Sequence, residues 1–314
     1  MCVTMSPRPR LIYTVTIFTL LMMLPLVAAS STTIQYTLDS SGLDARLGAF
    51  GLFLRGSHSP HYTYYDIVEN NTDYHVLFVR MFEYTDSNHD GVYTQSADTP
   101  IGPVISLQSG IWVFSNFVTQ EESGDVVKLD FQLTSLSGTF YPQQPELQLT
   151  LVNHLNVSNN ASLKFDIILS GWEWHNSNNS LALGIVLSMG QHSTGQMNRP
   201  TVHPGSGNVS FGNGYLLYPS VAQVDSKNVG VNVSVNGANP QNNGEQVYFC
   251  FPYFSDTLEY DPTIGLFDIS SVTTTQPSTP PGQPPLFDIP RIAVIGIGVT
   301  VVIVIAVKFQ SDHH

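Results

Sequence analysis

The segment Val127-Lys128-Leu129-Asp130-Phe131-Gln132-Leu133-Thr134 decides the fold class, because apolar and polar residues alternate along it without a break. Successive side chains of a β-strand point to opposite faces, so this period of two predicts a strand with one buried face and one solvated face. The same alternation recurs in three further segments: 147–151, 163–169 and 231–235. Asn236-Gly237 follows the last of them and is typical of a hairpin turn.

Longer apolar runs predict more deeply buried strands at 76–84, 111–117, 181–188 and 247–254. No sustained 3.6-residue period occurs outside the two terminal segments. Roughly ten to thirteen strands therefore predict an all-β fold over residues 32–270: an antiparallel two-sheet β-sandwich, jelly-roll-like in type. One large sandwich or two small ones both fit this pattern. We favour one, since 137–145 is the only plausible break.

The charge balance excludes one class of partner. Lys and Arg total 11 and Asp and Glu total 24, a formal net charge of −13. A nucleic-acid-binding protein needs a basic face, so no nucleic-acid partner is expected. Residues 32–270 alone contain 7 basic and 22 acidic residues, a net charge of −15. Such an excess of carboxylates favours the binding of divalent cations.

The N-terminus is typical of an export signal. Arg8 and Arg10 precede an apolar run over 11–27, and small residues follow at Val27-Ala28-Ala29. These features predict a signal peptide over residues 1–29. An uncleaved signal anchor is the alternative, because the apolar run is long for a signal peptide.

The C-terminus predicts a membrane anchor. Residues 292–307 are almost wholly apolar and are flanked by Arg291 and Lys308. A transmembrane helix over 291–309 follows, preceded by a Pro/Thr-rich stalk at 271–290 and followed by a short cytoplasmic tail at 310–314. We therefore expect a single-pass cell-membrane protein, held in the membrane by this helix, with residues 32–270 outside the cell.

Two further features suit an exported domain. Six Asn-x-Ser/Thr sequons predict a glycoprotein, with acceptors at Asn70, Asn156, Asn160, Asn178, Asn208 and Asn232. After signal cleavage Cys250 is the only cysteine, and it lies in an apolar strand. We expect a buried, inert thiol there.

The sharpest motif is Asp86-Ser87-Asn88-His89-Asp90-Gly91-Val92-Tyr93. It resembles the calcium loop of EF-hand and dockerin-type sites, in which oxygen ligands at alternate positions converge and a glycine permits the tight turn. The resemblance implies Ca²⁺ ligands at Asp86, Asn88, Asp90 and the Val92 carbonyl. The expected final acidic ligand is displaced by one residue to Asp98, and Glu83 is another candidate to complete the shell. The flanking residues predict strands, so the site would lie on a β-hairpin. A plain Asn/Asp-rich turn is the alternative.

Other candidate sites carry weaker signals. Trp172 and Trp174 are predicted on one face of a strand, where they would contact a glycan or fill the core. His58 and His61 have the spacing of a zinc pair but lack further ligands, which favours a surface loop. If the chain hydrolyses glycosides, Glu173 and Asp166 are the expected carboxylate pair.

These observations favour a binding protein over an enzyme, since no nucleophile elbow, helical zinc motif or phosphate loop occurs. We expect a membrane-anchored surface protein whose calcium-stabilised sandwich mediates extracellular binding or adhesion. Its partner would be a protein, a glycan or another copy of the chain. The alternatives are a membrane-tethered glycan-active hydrolase on a jelly-roll fold and a structural component of a surface coat.

Overall fold

The predicted alternation produces β-strands throughout the described chain. The computed structural model describes residues 33–56, 59–69, 71–140, 144–159 and 161–269. The predicted signal peptide, stalk, membrane helix and tail lie outside these residues, as do His58, Asn70 and Asn160. Within the described ranges no helix is long and apolar enough to cross a bilayer. The chain divides into two compact units, and every described residue belongs to the first, Met1–Val272.

The described ranges contain two short 3₁₀ helices, Leu107–Ser109 and Val157–Asn159, and many strands. The strands are β1 Ile34–Leu38, β2 Leu43–Leu47, β3 Phe50–Arg55, β4 His61–Asp66, β5 Thr72–Thr85, β6 Thr99–Ser106, β7 Trp112–Glu122, β8 Asp125–Ser135, β9 Gln148–Asn156, β10 Ser162–Ser170, β11 Ser180–Gln191, β12 Gln196–Asn198, β13 Val202–Gly205, β14 Asn208–Phe211, β15 Gly214–Leu217, β16 Val221–Val224, β17 Lys227–Gly230, β18 Asn232–Asn239, β19 Gly244–Phe251, β20 Thr257–Tyr260 and β21 Thr263–Leu266.

The strands form two antiparallel sheets packed face to face. The ten-stranded sheet has the order β1-β2-β3-β4-β5-β11-β19-β18, with β6 paired to β5 and β12 paired to β11. The eleven-stranded sheet has the order β13-β14-β15-β21-β10-β20-β16-β17, and β9, β8 and β7 extend from β10. The predicted all-β class and the two-sheet antiparallel arrangement are confirmed. The jelly-roll-like type stays a prediction.

The main core lies between the sheets. Tyr62 of β4 stacks on Phe165 of β10 with ring centroids 5.1 Å apart, and its hydroxyl donates to Asn153 Oδ1 of β9 at 2.8 Å. Burying one such large side chain contributes about 1.5–3 kcal/mol. Contacts of this kind join the two sheets into one core.

The alternating segments 147–151 and 163–169 behave as predicted: their apolar residues in register are buried and the residues between them are partly exposed. The other two segments do so only in part, since Val127, Val233 and Val235 are partly exposed.

A β-bulge in β5 determines what reaches the outer face of the ten-stranded sheet. Phe78 pairs with Ile185 of β11 and Arg80 pairs with Gly184, so that Val79 has no opposite residue on that strand. An extra residue shifts the alternation of side chains by one position. Arg80, which an unbroken alternation would direct into the core, therefore lies on the outer face.

Several local predictions were wrong. The strands outnumber the predicted ten to thirteen, because many are only four residues long and carry little periodic signal. Asn236-Gly237 is not a hairpin turn: β18 continues to Asn239 with an irregularity between Val235 and Ala238, and Gly237 has φ +79°. Trp172 and Trp174 lie in an irregular segment after β10, not on a strand. His61 is on β4, not in a surface loop.

Candidate functional site

The motif at Asp86 forms the connection between β5 and β6, an antiparallel pair, as the hairpin prediction requires. This segment, which we call the Asp86–Asp98 loop, covers part of the outer face of the ten-stranded sheet. Tyr93 at its centre packs edge-on against Phe82, Tyr84 and Tyr248, with ring centroids 4.7–5.3 Å apart. With Ala182 and Cys250 these residues form a second, smaller hydrophobic cluster. We call it the outer aromatic cluster.

Side chains of β18 hold the loop from the other side. Ser234 Oγ and Asn236 Nδ2 both donate to the Tyr93 carbonyl, at 3.0 and 2.7 Å. Asn232 Nδ2 donates to the Gly91 carbonyl at 3.2 Å. These bonds satisfy loop carbonyls that face the sheet and join the loop to β18.

The loop carboxylates are bonded mainly to backbone N–H groups. Asp98 accepts from Ser87 N at 3.0 Å and from Thr94 N at 2.6 Å, which joins the two ends of the loop. Asp86 Oδ2 accepts from Gly91 N at 2.9 Å. Glycine is needed at 91 because φ is +76° and because Asn232 leaves no room for a Cβ atom.

The remaining predicted ligands lie at the loop tip. Asp90 accepts from the Val92 N–H at 3.0 Å and from Asn88 Nδ2 at 2.7 Å, and both Asn88 and Asp90 are exposed. Asp86 Oδ1 is shielded from solvent and has no hydrogen-bond partner among the described residues. The loop therefore offers carboxylate and amide oxygens, the ligand type that Ca²⁺ prefers. In the described chain, however, no three His, Cys, Asp or Glu side chains are grouped as a metal site would require.

Glu83, the other candidate ligand, is used elsewhere. Its fully buried carboxylate accepts from the backbone N–H groups of His175 and Asn176, from His175 Nδ1 at 3.0 Å and from Asn179 Nδ2. Burial alone would raise the pKa of Glu83, but these hydrogen bonds lower it overall. Glu83 thus anchors the irregular segment between β10 and β11.

The two tryptophans lie on that anchored segment. Their ring centroids are 6.3 Å apart, and Trp174 also contacts Phe254 at 5.3 Å and Tyr253 at 5.2 Å. Trp172 is buried, whereas Trp174 is partly exposed beside the exposed ring of Tyr253. The two indole N–H groups have no partner among the described residues. Trp172 therefore fills the core, and only Trp174 is placed to touch a ligand.

A groove of about 340 Å³ crosses the outer face of the eleven-stranded sheet. We call it the acidic groove and define it by its polar residues: Lys164, Asp166, Gln223, Asn228, Glu259 and Asp261. They come from β10, β16 and β17 and from β20 with the residue after it. Glu173, the predicted partner of Asp166, does not line this groove. The carboxylates that line it together with Asp166 are those of Glu259 and Asp261.

A row of ionisable side chains in mutual contact leads across the sheet into this groove. His154 Nδ1 lies 2.8 Å from Asp130, and its Nε2 lies 3.0 Å from Asp166. Lys164 then contacts Asp166 at 3.3 Å and Asp261 at 2.9 Å. Both contacts of His154 are hydrogen bonds only when both ring nitrogens carry a proton. This row fixes the side chains on one wall of the groove.

A histidine pair lies on the outer face of the other sheet. His61 Nε2 and His75 Nδ1 are 3.1 Å apart, and Thr63 Oγ1 is also 3.1 Å from His75 Nδ1. Burial, with a smaller contribution from Arg55, lowers the pKa of His61 to about 4. Burial, His61 and Arg55 lower the pKa of His75 to about 3. The pair is therefore neutral at neutral pH.

The predicted burial of the thiol is confirmed, and its inertness stays a prediction. Cys250 is free and buried, and its Sγ lies 3.2 Å from the Tyr93 N–H. Burial raises the pKa of Cys250 to about 11. A thiol that stays protonated and shielded is a poor nucleophile.

Four of the six predicted glycosylation acceptors lie in described residues. Asn178 and Asn232 are exposed, and Asn156 and Asn208 are partly buried. Exposed loop positions such as Asn178 suit a glycan. Whether any of the four carries one stays a prediction.

Comparison with known proteins gives no family. No protein-family profile matches the chain, and no curated protein matches its sequence. Its function must therefore be argued from its own residues.

The sequence did not predict the acidic groove, because its residues come from strands far apart in the chain. It did not predict the outward position of Arg80 either, although a signal exists. Tyr74, Val76 and Phe78 are alternate residues of β5, and all three face the core. Arg80 is the next position in this alternation. A charged residue in such a series indicates an irregular strand.

Proposed function

We propose that the chain is a single-pass membrane protein whose β-sandwich stands outside the cell and binds an extracellular partner. The acidic groove is the observation that carries this proposal. Its three carboxylates and two amides converge beside one ammonium group in an open cleft. Clefts with a few converging polar groups are the usual form of a binding site. The partner would present cationic groups or several hydroxyl groups to these oxygens.

The terminal segments support the location. An apolar segment after Arg8 and Arg10, and a second one between Arg291 and Lys308, are the pattern of an exported, C-terminally anchored protein. The Pro/Thr-rich stalk between sandwich and helix would hold the acidic groove away from the lipid.

Binding is tested with the full chain, purified in detergent, on arrays of surface glycans and extracellular proteins. Glu259→Gln removes one groove carboxylate, and we expect it to weaken binding about tenfold, since a hydrogen bond to a charged group contributes about 1.5–3 kcal/mol. Glu121→Gln, at an exposed position on β7, should leave binding unchanged. Equal binding by both variants would overturn the role of the groove.

The same samples separate the alternatives. Release of sugar products would favour the hydrolase, and concentration-dependent self-association without a ligand would favour the surface coat.

We also propose that Ca²⁺ binds the Asp86–Asp98 loop through Asp86, Asn88, Asp90, the Val92 carbonyl and Asp98. The unpartnered Asp86 Oδ1 supports this. Binding would require the tip side chains to exchange backbone bonds for the ion. The expected gain in stability is about 2.7 kcal/mol at a calcium concentration one hundred times the Kd.

Melting with calcium and with a chelator tests this assignment. We expect the melting temperature to rise with calcium in the natural chain and in Glu121→Gln, but not in Asp86→Asn or Asp90→Asn. If calcium leaves the natural chain unchanged, the loop is held by its hydrogen bonds alone and the calcium proposal fails.

A further inference from the structure

Arg80 occupies an unusual position on the outer face of the ten-stranded sheet. The bulge at Val79 turns its side chain outward, and the side chain then crosses above Gly184 of β11. A Cβ atom at 184 would lie 3.2 Å from Arg80 Cγ and 2.9 Å from a ring carbon of Tyr248. Glycine at this position thus lets the guanidinium reach across β11 to β19.

The guanidinium is only partly satisfied. Its Nη2 donates to Tyr248 Oη and, at 3.4 Å, to Gln246 Oε1, and its carbon lies 5.5 Å from the centre of the Tyr248 ring. Its Nε is shielded from solvent and has no partner among the described residues. Among the described Lys and Arg residues, Arg46, Lys128, Lys164 and Arg199 each lie within 4.0 Å of a carboxylate, whereas Arg55, Arg80 and Lys227 do not. Of these three, only Arg80 is partly buried, and the other two are exposed.

A partly buried cation without a counterion is unfavourable, because the lost hydration is not replaced. It is also unexpected here, since residues 32–270 contain 22 carboxylates and 7 basic groups. Local departures of this kind are concentrated at functional sites. An anionic group that is not part of the chain would complete the pairing.

Arg80 also lines a groove. The Arg80 groove has a volume of about 500 Å³, within the range of small-molecule sites. Its other polar residues are uncharged: Ser106, Gln108, Asn239, Gln241 and Asn242. Ser106 lies directly opposite Arg80 on β6, and Asn239, Gln241 and Asn242 come from the β18–β19 end. One fixed positive charge is thus surrounded by amide and hydroxyl groups.

We propose that the Arg80 groove binds a sugar acid, whose carboxylate pairs with the guanidinium of Arg80 and whose hydroxyl groups bond the surrounding amides. A planar guanidinium matches a carboxylate in geometry. The single positive charge suits a monoanion, and the strongly negative domain disfavours polyanions such as phosphorylated or sulfated chains. This proposal is independent of the acidic groove and would hold even if that groove bound nothing.

The test measures binding of glucuronate by the purified full chain, using calorimetry or ligand-detected NMR. Glucose is the neutral counterpart and acetate carries the carboxylate without the hydroxyl groups. We expect glucuronate to bind at least tenfold more tightly than either. Arg80→Gln should reduce glucuronate binding at least tenfold. Arg46→Gln removes an exposed arginine that pairs with Asp44 elsewhere and should change nothing.

A second variant keeps the test valid if Arg80→Gln fails to fold. Gln241 is exposed and forms no hydrogen bond with described residues, so Gln241→Glu places a negative charge at the rim without disturbing Arg80. It should weaken glucuronate binding severalfold, and Gln241→Lys should not. Equal binding of glucuronate and glucose, unchanged binding in Gln241→Glu, or no binding of glucuronate at millimolar concentration would each overturn the proposal.

Discussion

The fully buried carboxylate of Glu83 anchors the irregular segment between β10 and β11. Glu83 replaces lost hydration with four hydrogen bonds from His175, Asn176 and Asn179. Glu83→Gln would remove the negative charge and place the side-chain NH₂ group against N–H groups that now donate to the carboxylate. We expect a loss of about 2–4 kcal/mol in the free energy of unfolding, because hydrogen bonds to a charged group are replaced by an unsatisfied contact. Urea unfolding measures it.

Glu121→Gln is the matched control for this change, since Glu121 is exposed. A loss no larger than in the control would show that Glu83 does not hold the segment. Tryptophan fluorescence gives an independent measure, because Trp172 and Trp174 lie on the anchored segment.

The histidine pair predicts a dependence of stability on pH. Free histidine has a pKa of about 6.5, whereas His61 and His75 titrate at about 4 and 3 when folded. Between about pH 6.5 and pH 4 both histidines are mostly protonated in the unfolded chain and mostly neutral in the folded chain. The free energy of unfolding therefore falls as the pH drops below about 6.5. We expect each histidine to contribute about 2.5 kcal/mol of this loss by pH 4.5, or on the order of 5 kcal/mol for the pair.

Unfolding at a series of pH values checks this. His61→Gln combined with His75→Gln should flatten the profile between pH 6.5 and 4.5, while the exposed His203→Gln should not. Identical slopes in the double variant and the natural chain would contradict the assignment.

Among the elements, the Asp86–Asp98 loop acts as a cover for the outer aromatic cluster. Tyr93 is the side chain through which it packs, and its N–H contacts Cys250. Tyr93→Ala should cost about 3–5 kcal/mol, as for other large aromatic residues truncated in a packed site. Tyr93→Phe should cost little, since the hydroxyl has no hydrogen-bond partner among described residues.

The thiol provides the measurement. Cys250 should be unreactive toward thiol reagents in the natural chain and in Tyr93→Phe, and should react readily in Tyr93→Ala. If Cys250 stays unreactive in Tyr93→Ala, other residues shield the thiol and the loop is not its cover.

Strands were predictable where the alternation is local, and irregularities were not. In β8, β9 and β10 most residues of one alternating series are apolar, Asn153 of β9 being a buried exception, so the chain itself specifies the buried face. The bulge at Val79 depends on the register with β11, and the continuation of β18 through Gly237 depends on β19. The position of Trp174 depends on Glu83, which is distant in sequence. Such features follow from contacts between segments that are distant in sequence, and a local sequence pattern does not predict those contacts.

At the scale of the whole molecule, one core spans the two sheets. Phe165 contacts both Tyr62 and Phe78 of the opposite sheet. We therefore expect a single cooperative unfolding transition, the same by far-ultraviolet circular dichroism and by tryptophan fluorescence. Phe165→Ala should lower its free energy by about 3–5 kcal/mol without splitting it.

Glu121→Gln is the corresponding surface control, since Glu121 is exposed on β7. It should shift the transition far less than Phe165→Ala. Two separate transitions in the natural chain would mean that two cores exist, in agreement with the alternative of two small sandwiches.

The bond between Asn232 and the Gly91 carbonyl has a consequence for maturation. The nitrogen that donates this bond is the atom to which an N-linked sugar would be attached, and Gly91 lies close against it. If Asn232 is a glycosylation site as predicted, sugar transfer and loop closure would compete for one atom, and whichever came first would hinder the other. The fraction of molecules that carry a sugar at Asn232 would then record how fast this hairpin closes after export, relative to the glycosylation machinery.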